Sequence, residues 1–154
     1  MFDLSCWQSA NTMGAFKLIR LCLPEMIQRG GGHIVATGSI AGFESYEGGS
    51  VYCASKHALH AFIKSLRMET YNKNMRVTLL APGLVGEGTE FSEVRFKGDA
   101  GKAQATYAGV QELRASDCAA QILWAVKQPS HVNVDMIHVM PAAQGSATRV
   151  HRGG

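Results

Sequence analysis

Apolar residues recur at three- and four-residue intervals over residues 10–29, at Ala15, Leu18, Ile19, Cys22, Leu23 and Met26. That period predicts an amphipathic helix. Pro24 is expected to bend or interrupt it, and Gly30-Gly31-Gly32 to end it. Residues 33–37, HIVAT, form a short β-branched run bounded by glycines, which predicts a buried strand. A glycine-dotted loop over residues 38–49 leads to a second helix over 50–71. One of its faces is rich in small residues: Ala54, Ala58, Ala61, Phe62, Ser65, Leu66 and Glu69. Residues 75–81, MRVTLLA, predict a second strand closed by Pro82-Gly83. A strand, a long helix and a strand make a crossover unit, hence a parallel sheet with helices on its faces.

Residues 84–110 are polar and glycine-dotted, which predicts a long loop of the lid or binding-loop type. A third helix is expected over 116–127, with Asp117 near its start and Ile122, Leu123, Ala125 and Val126 buried, stopped by Pro129. Residues 132–140 contain a third strand, VDMIHVM. The tail, 141–154, is basic and polar and is expected on the surface or between subunits. The pattern predicts one α/β domain over residues 1–154. Ligands of open parallel sheets bind beyond the carboxyl ends of the strands.

Composition narrows the function classes. The chain has 154 residues, 46% apolar and 18% charged, enough for one domain with a real core. Net charge is +3 and the 15 basic residues are scattered, with no basic stripe interleaved with aromatics, so no nucleic-acid partner is expected. The four cysteines are dispersed without a C-x-x-C pair, as for reduced thiols in the cytoplasm. No stretch reaches about 18 uninterrupted apolar residues, so no membrane span is expected, and residues 1–20 lack a signal-peptide pattern. The six histidines show no metal-ligand spacing, so no metal is expected; His57 and His60 are read as helix-surface or interface residues.

The candidate chemistry lies in residues 38–56, GSIAGFESYEGGSVYCASK. Tyr52 and Lys56 are four apart, so on a helix they project from one face. Ser39 lies thirteen residues before Tyr52. A nearby ammonium favours the phenolate and is expected to lower the tyrosine pKa. A serine hydroxyl from the loop could hold a substrate oxygen beside it, completing a proton-transfer site. Taken alone, Y-x-x-x-K also describes a surface tyrosine packed on a lysine stem. Ser39 after one strand and Pro82-Gly83 after the next place the set on one sheet edge.

With these residues in place, the chain resembles the carboxyl-terminal part of a short-chain dehydrogenase/reductase. The matching elements are Ser39, Tyr52 with Lys56, Pro82-Gly83, and Asn11 in N-x-x-G, 28 residues before Ser39. Residues 82–103 and 128–144 resemble the branch that oxidises 3-hydroxy acids with NADP, such as serine, allo-threonine and malonic semialdehyde dehydrogenases. The resemblance implies part of a Rossmann-like doubly wound parallel sheet, a soluble cytoplasmic enzyme and a homodimer or homotetramer. It implies that Tyr52 is the acid/base, that Lys56 tunes it and holds the nicotinamide ribose, and that Ser39 binds the substrate oxygen. It implies that Asn11 fixes a helix bend and a proton path, although an asparagine there also reads as a helix cap. Pro82, Gly83, Leu84 and Val85, then Thr89, Glu90 and Phe91, are expected around the nicotinamide and phosphates. One residue inserted at Gly86-Glu87-Gly88 sets this loop apart from the branch. Arg95 is either a ligand for a substrate carboxylate or a solvated loop arginine.

Residues 37–44 read T-G-x-x-x-G-x-E and imitate the family's nucleotide loop. Glu44 would place a carboxylate against phosphates, and no helix is expected directly after Gly42 to offer its amino end. The family's glycine-rich first turn, its NAD/NADP-selecting residue and its N-A-G motif have no counterpart. Residues 1–10 are therefore expected to be an atypical start, with Trp7 too close to Asn11 to match the family's tryptophan, and the first βαβ units absent. NADP is the cofactor implied, with NAD left open. The alternative expectation is a truncated, inactive remnant acting only through oligomer contacts.

Overall fold

A computed structural model of the chain describes residues 9–153. Residues 1–8, and with them Trp7 and most of the atypical start, lie outside the described residues. Strands β1 (Gly32–Thr37), β2 (Met75–Pro82) and β3 (Met136–Val139) form a parallel sheet in that order. Ile34 lies opposite Val77, and Leu79 opposite Met136. The expected α/β crossover architecture is the one that forms.

β2 is the central strand, and Val77, Leu79 and Leu80 are fully buried. Helix α2 (Ser50–Thr70) covers it with Leu59, Ile63 and Leu66. Each such side chain contributes about 1.5–3 kcal/mol on burial, which fixes this helix against the sheet. β1 departs from expectation: Ile34 and Val35 are only half-buried. Among the described residues β1 pairs with β2 alone and so forms the sheet edge.

Helix α1 (Ala15–Gln28) runs through Pro24 rather than breaking there. Pro24 removes one backbone bond, but Leu21, Cys22, Pro24 and Glu25 are all exposed, so little packing depends on it. The glycine stop forms as expected. Gly30 takes φ +96°, its N–H bonds Ile27 O, and the Gly31 N–H bonds Met26 O, a Schellman closure.

Residues 84–110 hold two short helices that periodicity did not reveal, α3 (Phe91–Arg95) and α4 (Ala100–Tyr107). Asp99 caps α4 by accepting from the Lys102 N–H at 3.1 Å. The Tyr107 hydroxyl donates to Val85 O at 2.8 Å and also bonds the Ser92 hydroxyl, tying both helices to the loop after β2. Helix α5 (Ala115–Val126) buries less than expected: Ala125 is enclosed, Ile122 is half-buried, and Leu123 and Val126 are exposed. Only one face meets β2. The Arg76 guanidinium on β2 donates to the carbonyls of Ala125, Val126 and Gln128, closing the helix's negative end.

The tail folds back over the carboxyl edge of the sheet, and within residues 141–153 only Pro141 and Gln144 are buried. The Ala147 N–H donates to Glu44 Oε2 at 2.7 Å, and Arg152 donates to the carbonyls of Ala108 and Thr106. Among the described residues no helix is long and apolar enough to cross a membrane.

Candidate active site

β1 delivers the chain to Ser39, whose backbone is extended at φ −174° and ψ 159°. A 3-10 turn, Ile40–Gly42, follows at once. Ser39 caps that turn, its Oγ accepting from the Ala41 N–H at 3.1 Å. Cap and turn hold the serine side chain at the carboxyl end of the sheet, buried at 6% exposure.

Helix α2 starts from the same edge and presents Tyr52, Lys56 and His60 on successive turns. Tyr52 shares a side-chain hydrogen bond with Ser39. The Lys56 Nζ donates to Thr37 O at 3.0 Å and stands 5.9 Å from the centre of the Tyr52 ring. Asn11 lies in a π-helical turn, Ser9–Gly14, a widened turn rather than a simple cap. Its amide is 3.5 Å from the Ser55 hydroxyl, and the Thr12 hydroxyl donates to Ser55 O at 3.1 Å. The turn is therefore docked on α2 at Ser55, the residue before Lys56.

Electrostatics run against one expectation. Burial pushes the Tyr52 phenol up from its ordinary pKa, and it outweighs the lowering by the Ser39 hydrogen bond and by the Arg95 charge. Lys56 does not bring the phenol down in this arrangement. The amine is turned to the Thr37 carbonyl and is itself desolvated, which lowers its own pKa to about 8.

These groups line one cavity of about 640 Å³. Asn11, Ser39, Tyr52, Lys56, Pro82, Gly83, Leu84, Val85, Thr89, Phe91 and Arg95 all face it. Glu90 does not; it is exposed at the start of α3. Arg95 is half-buried, and its guanidinium lies 5.5 Å from the Tyr46 ring, 5.8 Å from Tyr52 and 5.5 Å from Phe96. Cation–π contact of this kind holds a planar cation in place. Phe91 lies 5.5 Å from Tyr52, centre to centre.

Several lining residues had no sequence signal. Tyr46 hydrogen-bonds Arg95 and Cys53. Tyr107 and Arg152 also reach the cavity, and buried Gln144 accepts the Leu84 N–H at 2.8 Å. Within the segment 37–44, Gly38 and Gly42 pack against His60, and Glu44 anchors the tail. Among the described residues no cluster of His, Cys, Asp and Glu could hold a metal.

The nicotinamide half of a dinucleotide fits what is present. Lys56 faces the cavity with one of its three donors used, and the turn after β2 forms a wall. The Gly83 and Leu84 amides are committed to Val139 O and Gln144, and the Thr89 hydroxyl bonds Gly86 O.

The chain is 45% identical over 150 residues to an uncharacterized oxidoreductase of Mycobacterium tuberculosis H37Rv, covering 96% of this chain and 59% of that protein. It is 43% identical over 143 residues to the NADP-dependent 3-hydroxy acid dehydrogenase of Escherichia coli K12, covering 92% and 57%. The closed form of a serine dehydrogenase complexed with NADP+ superposes with a TM-score of 0.86 at 42% identity, over 93% of this chain and 58% of that one. The chain thus spans under two thirds of the length of the relatives it matches. The family model for short chain dehydrogenases matches residues 6–99, more than half of the sequence, and the chain belongs to that family.

Proposed function

We propose that the site serves an NADP-dependent oxidoreductase acting on a small 3-hydroxy acid or a related alcohol and carbonyl. The observation that carries this reading is the convergence of Ser39, Tyr52, Lys56 and Arg95 on one cavity. NADP, when bound, supplies or accepts the hydride. The chain's residues supply position and the proton.

Ser39 and Tyr52 would hold the substrate oxygen between two hydroxyls. Tyr52, kept protonated by burial, would donate its proton to the oxygen of a carbonyl being reduced. In oxidation it would act as base, and its raised pKa favours that direction at alkaline pH. Lys56 would hold the nicotinamide ribose. Asn11, through Ser55, would keep the amino-terminal turn against the catalytic helix. Pro82, Gly83, Leu84, Val85, Thr89 and Phe91 would wall the nicotinamide. Arg95 would bind the substrate carboxylate, steadied by the rings of Tyr46 and Phe96.

The exposed small residues Ala54, Ala58, Ala61 and Ser65 of α2 support a homodimer or homotetramer, which light scattering would measure. A second reading is a non-catalytic chain that acts through such contacts of the exposed α2 face.

Titration of the purified chain with NADPH, followed by cofactor fluorescence and turnover of malonic semialdehyde, separates the two. No binding at about millimolar NADPH, a weak affinity on any scale, sinks the enzymatic reading for this chain. Where turnover is found, Tyr52→Phe should lower kcat by about 10²–10⁴-fold with an unchanged near-ultraviolet circular dichroism spectrum. Retained activity would refute the acid/base role.

A further inference from the structure

We infer that His60 is a positioning residue for Ser39: a neutral imidazole that fixes the serine's backbone by accepting its N–H at Nε2. This rests on the role proposed for Ser39. The Ser39 N–H donates to His60 Nε2 at 3.3 Å, and the ring is buried at 4% exposure. A backbone N–H can only donate, so Nε2 carries the lone pair and the ring proton sits on Nδ1. Nδ1 has no partner among the described residues, so nothing there favours the opposite tautomer.

The loop is shaped around this ring. A Cβ on Gly38 would come within 2.2 Å of Nε2, and one on Gly42 within 2.3 Å of Cε1. Gly38, just before Ser39, and Gly42, three residues after it, thus allow the imidazole to lie against the backbone. Phe43 closes over it edge-on, 4.6 Å between centres at 67°. The Ser39 peptide is held on its other side by the Gly42 N–H bonding Ser39 O at 2.9 Å. With both backbone groups fixed, the hydroxyl facing Tyr52 has little freedom.

The charge state supports this. Burial first, then Lys56, His57 and Lys64 on the helix and His138 on β3, hold the ring's pKa down to about 4. Phe43, Gly38 and Gly42 on the loop side bring no charge. The ring stays an acceptor at neutral pH; a protonated ring would set two N–H donors against each other.

The direct test is nitrogen-15 NMR of the whole chain at neutral pH. Expected are a protonated Nδ1, a bare Nε2, and a scalar coupling across the hydrogen bond between Ser39 N and His60 Nε2. A proton on Nε2, or a Ser39 amide exchanging as freely as an exposed one, would overturn the inference. The kinetic arm compares His60→Leu with His60→Gln, whose carboxamide oxygen can still accept. His60→Leu should lower kcat about ten- to a hundredfold, as expected for a misplaced catalytic group, with NADPH affinity unchanged, and His60→Gln should recover a part. Equal, wild-type kcat in both variants overturns the claim. An inactive chain that shows the coupling still supports the positioning while refuting the catalytic reading, so the two failures are distinct.

Discussion

Lys56 offers a test of how burial and charge compete at this site. Lys56 is 9% exposed, and desolvation lowers the pKa of its amine from 10.5 to about 8. The folded chain therefore gives up the Lys56 proton at lower pH than the unfolded chain. From about pH 8 to pH 10.5 the unfolded state binds more protons, so stability rises with pH across that window. Integrated from about pH 7 to about pH 10, the gain is about 2.5 kcal/mol. Lys56→Met lacks the titration. The hydrogen bond to Thr37 O is lost in the variant at every pH, which offsets the comparison without tilting it, because the neutral amine still donates. Urea unfolding of both proteins at both ends of the range is the assay. With a slope of about 1–3 kcal/mol per molar urea, the difference in midpoint should shift by about 1–2 M in favour of the wild type on going alkaline. Other titrating groups are common to both proteins and cancel. A midpoint difference that stays constant with pH would refute the placement of a desolvated amine at this position, and with it the reason why Lys56 leaves the phenol raised.

Arg95→Gln should raise KM for a carboxylate-bearing substrate about 10–100-fold, the worth of a charge-assisted hydrogen bond, and leave an uncharged alcohol unaffected in steady-state assays; equal effects on both would count against carboxylate binding. Asn133 Oδ1 accepts the buried Val77 N–H at 2.7 Å, so Asn133→Ala should cost about 1–3 kcal/mol by urea unfolding. Gln144→Ala frees the Leu84 N–H and unpins the tail, and should cost about 1–3 kcal/mol while speeding hydrogen exchange at Leu84.

The elements legible in the sequence were those fixed by local pattern. α2 and β2 follow from apolar periodicity and from the Pro82-Gly83 stop, and the Gly30 closure from glycine chemistry. The Ser39, Tyr52 and Lys56 spacings located the cavity because a strand end and a helix start share one sheet edge. What stayed hidden depends on partners far along the chain. Glu44 meets Ala147 across 103 positions, and Gln144 meets Leu84 across 60. No local pattern announces either, so the tail's return was missed. α3 and α4 are too short for periodicity to register and are held by Tyr107 and the Asp99 cap. The direction of the Tyr52 shift turned on burial, which neighbour spacing cannot supply. His60, read as a helix-surface or interface residue from its place beside His57, is enclosed because glycines at 38 and 42 leave room for it.

Tyr52, Lys56 and His60 share one stripe of α2, and this bears on how the helix can change over evolutionary time. A residue inserted or deleted between any two of them rotates the rest by about 100° and moves a group out of its contact. Length variation is thus closed to this segment. Substitution is open on the far side, where Ala54, Ala58, Ala61 and Ser65 face outward. One face of a single helix is held in register by three contacts, and the other remains available for new surfaces.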